Sequence, residues 1–142
     1  MPANAALYLP VDDVELSDII PNAQRTGGFL WWGTAFQVLI KGGIVRFNVM
    51  PKGEVSQHLA QLSTYVASLD EDDASKEAAT RAIAATGLVL GLETQLEFEG
   101  NDEIGELLEK INDHYKGFIF MFDSLVLHGN EVLVGPLKAA AT

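Results

Sequence analysis

Hydrophobic and polar positions alternate over two neighbouring stretches, residues 34–41 and 44–50, with Gly42-Gly43 between them. A two-glycine step suits the positive φ values of a tight hairpin turn, so the pair reads as two antiparallel strands. If the two glycines form the turn, Lys41 faces Ile44, Ile40 faces Val45, Val38 faces Phe47 and Phe36 faces Val49. Leu39 then faces Arg46, and Gln37 faces Asn48, on the polar side. A slip of one residue would carry Phe47 into water and Arg46 into the core, so burial should hold the register.

Helical spacing replaces alternation downstream of Pro51 and Gly53. Val55, Leu59, Leu62, Val66 and Leu69 form one stripe and predict a helix over 54–69. The acidic run 70–73 supplies negative charge to the start of an alanine-rich second helix, 74–86. Residues 88–92 are almost wholly apolar, as in a strand covered on both faces. Asn101 is a suitable N-cap for a third helix over 102–116, with Ile104, Leu107, Leu108, Ile111 and Tyr115 as its buried stripe. Residues 118–122 read as a second interior strand, and 125–127 with 132–134 as a closing hairpin.

The N-terminal third is less regular. Residues 6–9 read as a short strand ending at Pro10, 11–20 admit a short helix stopped by Pro21, and 22–28 read as loop. The segment 11–33 receives no definite structure. Residues 138–142 read as a frayed tail. Interleaved hairpins and helices indicate one α+β domain, with a mixed, mostly antiparallel sheet and about three helices packed mainly on one face. The strand at 88–92, the third helix and the strand at 118–122 fit a parallel crossover unit.

Composition narrows the function classes. The chain has 142 residues, 48% of them hydrophobic, enough for a proper core. It contains no cysteine, which excludes disulfides, thiol nucleophiles and cysteine-ligated metals. No signal-peptide pattern or membrane-spanning run is visible, so a cytoplasmic protein is expected. Twenty acidic residues against nine basic ones give a formal charge of −11. Such a field repels nucleic acid and anionic membranes and attracts a basic protein surface.

Candidate chemistry is sparse. Glu54 and His58, four apart on the first helix, point the same way and could share an acid/base or metal role with Asp123, which follows an interior strand. The pair lacks the second histidine of the zinc-protease pattern and is more often a solvated helix face. Residues 70–73 lack the alternate ligand spacing of a calcium loop. No serine sits in a nucleophile-elbow pattern, and neither glycine pair belongs to a phosphate loop. No catalytic residue, metal site or cofactor is therefore assigned. Adjacent residues of an extended segment face opposite ways, so one of Trp31 and Trp32 is expected outward, where tryptophan is a favoured interface anchor; the alternative covers both. Arg46 and Asn48, on the hairpin's polar face, are the other candidate contact residues.

Four pieces resemble uncharacterised small bacterial proteins typified by the DUF4261 domain: Val89-Leu90-Gly91, the helix at 104–115, Gly117-Phe118-Ile119-Phe120, and Val132-Leu133-Val134-Gly135-Pro136. The resemblance covers about a third of the chain. It implies a bacterial, cytosolic protein and transfers no catalytic residue.

Three functional expectations follow. The first is a non-enzymatic acidic protein of immunity or inhibitor type that binds a basic partner. The second is a small hydrolase or metal-dependent enzyme using Glu54, His58 and Asp123. The third is a structural protein that forms a homodimer through an exposed Trp and a bare sheet face.

Overall fold

The structure is a computed structural model and describes residues 2–27 and 34–140. The expectations for Trp31 and Trp32 lie outside the described residues. Eight strands form one sheet: β1 (Ala6–Leu9), β2 (Gln24–Gly27), β3 (Thr34–Ile40), β4 (Gly43–Val49), β5 (Leu88–Thr94), β6 (Phe118–Met121), β7 (Ser124–Leu127) and β8 (Glu131–Val134). Their spatial order is β2-β3-β4-β5-β1-β6-β7-β8. Among the described residues four α-helices accompany them: α1 (Lys52–Ser68), α2 (Asp73–Ala84), α3 (Asp102–Tyr115) and the short α4 (Pro136–Ala140). The chain is thus α+β. Among the described residues, no helix is long and apolar enough to cross a membrane.

Every neighbouring pair of strands is antiparallel. The expected crossover unit survives in altered form. β5, α3 and β6 follow one another, and β5 and β6 run in the same direction, but β1 lies between them and pairs antiparallel with both. Its burial explains the insertion: Leu7, Tyr8 and Leu9 are at most 2% exposed, so β1 needs cover on both faces and a neighbour on each edge.

The β3–β4 hairpin forms, with a register two residues away from the expected one. Phe36 faces Phe47, Val38 faces Val45 and Ile40 faces Gly43, so the turn is Lys41–Gly42. Gly42 alone takes a positive φ, +98°. Gly43 belongs to the strand, and Leu96 packs directly over it: a Cβ there would lie 3.3 Å from the leucine side chain. Because the slip is by two, the faces are unchanged, and Phe36, Val38, Val45 and Phe47 are all buried. On the polar side Leu39 faces Ile44, Gln37 faces Arg46 and Ala35 faces Asn48.

Alternate residues of the central strands feed two cores. Leu7, Leu9, Leu88, Leu90 and Ile119 point to the face covered by α3 through Ile104, Leu108 and Ile111, and by the segment carrying Val14, Leu16 and Ile20. Tyr8, Val89 and Phe118 point to the opposite face, under α1 (Val55, Leu62, Val66) and α2 (Ala79, Ile83). Two of the three long helices therefore share one face and α3 takes the other. The ambiguous 11–20 stretch contains only a one-turn 3-10 helix, Leu16–Asp18, and buries Val14, Leu16 and Ile20.

Three local readings change. Residues 24–27, expected in a loop, form the edge strand β2, whose Arg25 lies over the Phe36 ring. Asn101 occupies the N-cap position of α3 without capping it, because its amide donates to the Glu97 carbonyl at 2.9 Å. Residues 138–140, expected to fray, close α4, where Lys138 binds Ser75 and pairs with Glu71 at 3.9 Å. The acidic connector is thus structural: Asp72 caps α2 by accepting from Ser75 N at 2.6 Å, and Glu71 accepts from Gly135 N at 2.6 Å.

Candidate functional site: a two-armed cleft on the α1 face

The α1 face is not covered along its whole length. One row across the sheet reads Asn48, Gly91, Ala6, Phe120, each the cross-strand neighbour of the next. The neighbouring row under α1 contains Val89, Tyr8 and Phe118, which are buried. Replacing such side chains by the glycine and alanine of the open row leaves a depression in the sheet, and α1 forms its wall.

The depression continues into a cleft with two arms. Asn4, Ala5, Ala6 and His58 line both. The larger arm, about 850 Å³, is aromatic, with Tyr8, Phe98, Phe120 and Phe122, and carries Glu97, Glu99 and Asp123. The smaller, about 420 Å³, adds Asn48, Met50, Glu54, Val89 and Gly91. Both volumes lie in the range of sites that enclose small ligands or side chains. Among the described residues, four carboxylates line the two arms together and no lysine or arginine side chain does.

His58 stands at the junction. Its ring stacks parallel to Tyr8 with centroids 5.6 Å apart, and Tyr8 stacks in turn on Phe118 at 4.6 Å. The Tyr8 oxygen lies 2.6 Å from His58 Nε2, and the phenol O–H donates when the imidazole proton is on Nδ1. Burial pushes the Tyr8 phenol up to about 12, so it remains a neutral donor.

The rim of the aromatic arm is the β6–β7 turn. Tyr65 of α1 meets Phe120 edge to face at 5.7 Å and donates its hydroxyl to the Asp123 carbonyl at 2.7 Å. The Tyr65 phenol is raised, first by desolvation and then by the charges of Asp123 and Glu71. Phe122 is 56% exposed and rests against Phe98 at 5.2 Å.

The sequence-derived candidates separate as follows. Glu54 lines the smaller arm, Asp123 the larger, and His58 both; no hydrogen bond or ion pair joins the three among the described residues. No group of three histidine or carboxylate side chains gathers closely enough to hold a metal ion among those residues. Asn48 lines the smaller arm and donates to Glu93 at 3.4 Å. Arg46 is turned toward its own strand and the next, donating to Asn48 at 3.0 Å and lying 3.7 Å from Glu93. His128 lies 3.2 Å from the Gly117 carbonyl, and His114 packs on Tyr115, both away from the cleft.

Ala6, Gly91 and Phe122 escaped sequence reasoning. The first two become a site only through the pairing of β1 with β5, which no local pattern reveals. The third was read as the last residue of an interior strand over 118–122, but β6 ends at Met121 and the pairing of Met121 with Ser124 puts Phe122 in the turn. The chain matches no known family, no curated protein and no solved structure.

Proposed function

We propose that this chain is a non-enzymatic, acidic binding protein of immunity or inhibitor type, and that a basic partner docks in the cleft on the α1 face. The observation that carries the reading is the lining itself: aromatic and small apolar groups below, four carboxylates among them and, among the described residues, no lysine or arginine side chain. An apolar floor supplies affinity, and an acidic rim selects the charge of the occupant and speeds its approach. The overall charge of −11 extends that field over the molecule. The enzyme reading has less support, since His58 is engaged by Tyr8 and, among the described residues, no carboxylate is hydrogen-bonded to it. A bacterial cytosolic setting, implied by the DUF4261-type resemblance, belongs to the same proposal.

The test is capture from an extract of the source cell on immobilised wild-type chain and on Gly91→Phe, which fills the floor of the smaller arm. A partner with a basic segment should be held at low salt by the wild type. It should be released near 1 M salt, where the screening length falls to about 3 Å, and be poorly held by the filled variant. A partner that Gly91→Phe retains equally well, or that ignores salt, overturns the proposal.

A further inference from the structure

Among the contacts of the cleft, the β6–β7 turn is the one whose sequence works against its backbone. Met121 faces Ser124, so Phe122 and Asp123 are the two loop residues of the hairpin. Their φ angles are 51° and 60°. A two-residue turn with both angles positive favours Asn-Gly; a phenylalanine there is sterically strained. Burial does not offset the strain, because the Phe122 ring is more than half exposed. Strain that packing does not explain is a signature of a residue held in place for contact.

The turn is also fixed in orientation. Tyr65 binds the Asp123 carbonyl, and Phe98 supports the Phe122 ring from one side. The Asp123 carboxylate itself has no hydrogen bond or ion pair among the described residues. A more than half-exposed phenylalanine thus shares a turn with a carboxylate that has no partner among the described residues, and both line the larger arm. A planar cation can lie on the ring and fork its N–H groups onto the carboxylate, an arrangement that suits guanidinium better than ammonium. The chain contains a filled version of this arrangement elsewhere. Arg25 lies 5.1 Å from the Phe36 centroid while its guanidinium contacts Glu15 at 2.9 Å. The hydrogen bond from Arg25 holds the Glu15 carboxyl below its ordinary value.

We infer that the Phe122–Asp123 turn is the anchor of the cleft and receives an arginine side chain of the partner. This rests on the proposed binding function and names its recognition chemistry. The probe is acetyl-Gly-Arg-Gly-amide, titrated into the full chain by NMR, with the neutral citrulline tripeptide as control. The arginine peptide should shift the resonances of Phe122, Asp123 and Phe98 saturably, and the citrulline peptide should bind at least about tenfold more weakly. The double variant Phe122→Asn with Asp123→Gly should bind arginine at least about fivefold more weakly and yet melt higher than wild type, which separates loss of binding from loss of fold. Equal binding of citrulline, or undiminished binding by the double variant, overturns the assignment. If the arginine peptide fails while the wild type still captures a basic partner through the cleft, the anchor is refuted and the broader function stands. If capture fails as well, both fall.

Discussion

The two faces of this sheet are made by the same strands and end in opposite ways. Toward α3, β1, β5 and β6 present Leu7, Leu9, Leu90 and Ile119, none more than 1% exposed, and α3 closes over them. Toward α1 the same strands begin equally closed with Tyr8, Val89 and Phe118. One step along each strand on that face, they give Ala6, Gly91 and a half-buried Phe120. Backbone and pairing are common to both faces, so the difference resides in side-chain volume. One face is packed as a core and the other is left with room in it, and that room is where a ligand could enter.

The closed face should be the less forgiving. Leu108→Ala on α3 removes a side chain that is 1% exposed, in a site whose neighbours are already packed. A loss of about 3 kcal/mol is expected in urea denaturation, since deletion of a buried leucine adds a cavity to the lost transfer energy. A loss below about 1 kcal/mol would mean that the α3 face is loosely packed, and the contrast between the faces would fail.

Tyr8 marks the boundary where the second face changes from closed to open. Tyr8→Phe keeps the ring stack and removes the bond to His58, for an expected loss of about 1.5 kcal/mol at neutral pH. The pH dependence sharpens the point. The folded phenol titrates at about 12 against an ordinary 10.0, so the folded state binds its proton more tightly than the unfolded one. Its stabilisation is complete below pH 10 and is lost as the pH rises toward 12. Melting temperature should fall over that interval in wild type and fall less in Tyr8→Phe. Identical slopes would place the Tyr8 hydroxyl in water, and the boundary would have to be moved.

Much of the closed part was legible in the sequence, for a physical reason. The α1 stripe through Val55, Leu62 and Val66, the α3 stripe through Ile104, Leu108 and Ile111, and the alternation in β3 and β4 each bury one side of a local element, and local burial writes a period into the chain. β2 was not legible because Gln24-Arg25-Thr26-Gly27 has no apolar side and is held by pairing with β3 and by Arg25, which binds Glu15 and lies over Phe36. The hairpin register was half legible: parity followed from burial, but the choice between Gly42–Gly43 and Lys41–Gly42 as the turn did not, because both registers bury the same side chains. Glu54 and His58 were singled out by their helical spacing, and both line the cleft. The cleft that gives them a setting was not legible, because Ala6 and Gly91 are 85 positions apart and meet only through β1–β5 pairing.

The two-residue turns offer a smaller perturbation. Lys41–Gly42 places glycine at its positive-φ position, whereas Phe122–Asp123 has no glycine at either. Converting the second pair to Asn-Gly should raise stability by about 1 kcal/mol, the relief of left-handed strain less the contact with Phe98. Chemical denaturation with an unchanged slope is the measurement. A variant less stable than wild type would show that Phe122 is held by packing, and the rim would then belong with the closed region.

The finest test concerns Gly91 and asks whether the space above the sheet is free. Gly117 shows what a required glycine looks like: a Cβ there would lie 2.2 Å from the Tyr8 carbonyl oxygen. At Gly91 a Cβ would meet only the Asn48 carbonyl oxygen, at 4.0 Å, and φ is not in the left-handed region. Neither backbone nor packing demands glycine, and a strand interior ordinarily disfavours it. Gly91→Val should therefore stabilise the chain by about 0.5 kcal/mol through lower unfolded-state entropy and better strand propensity. It should do so while narrowing the smaller arm, so that stability and partner capture move in opposite directions. A loss of stability instead would mean that the depression is occupied by the fold itself, and the two faces would differ in degree rather than in kind.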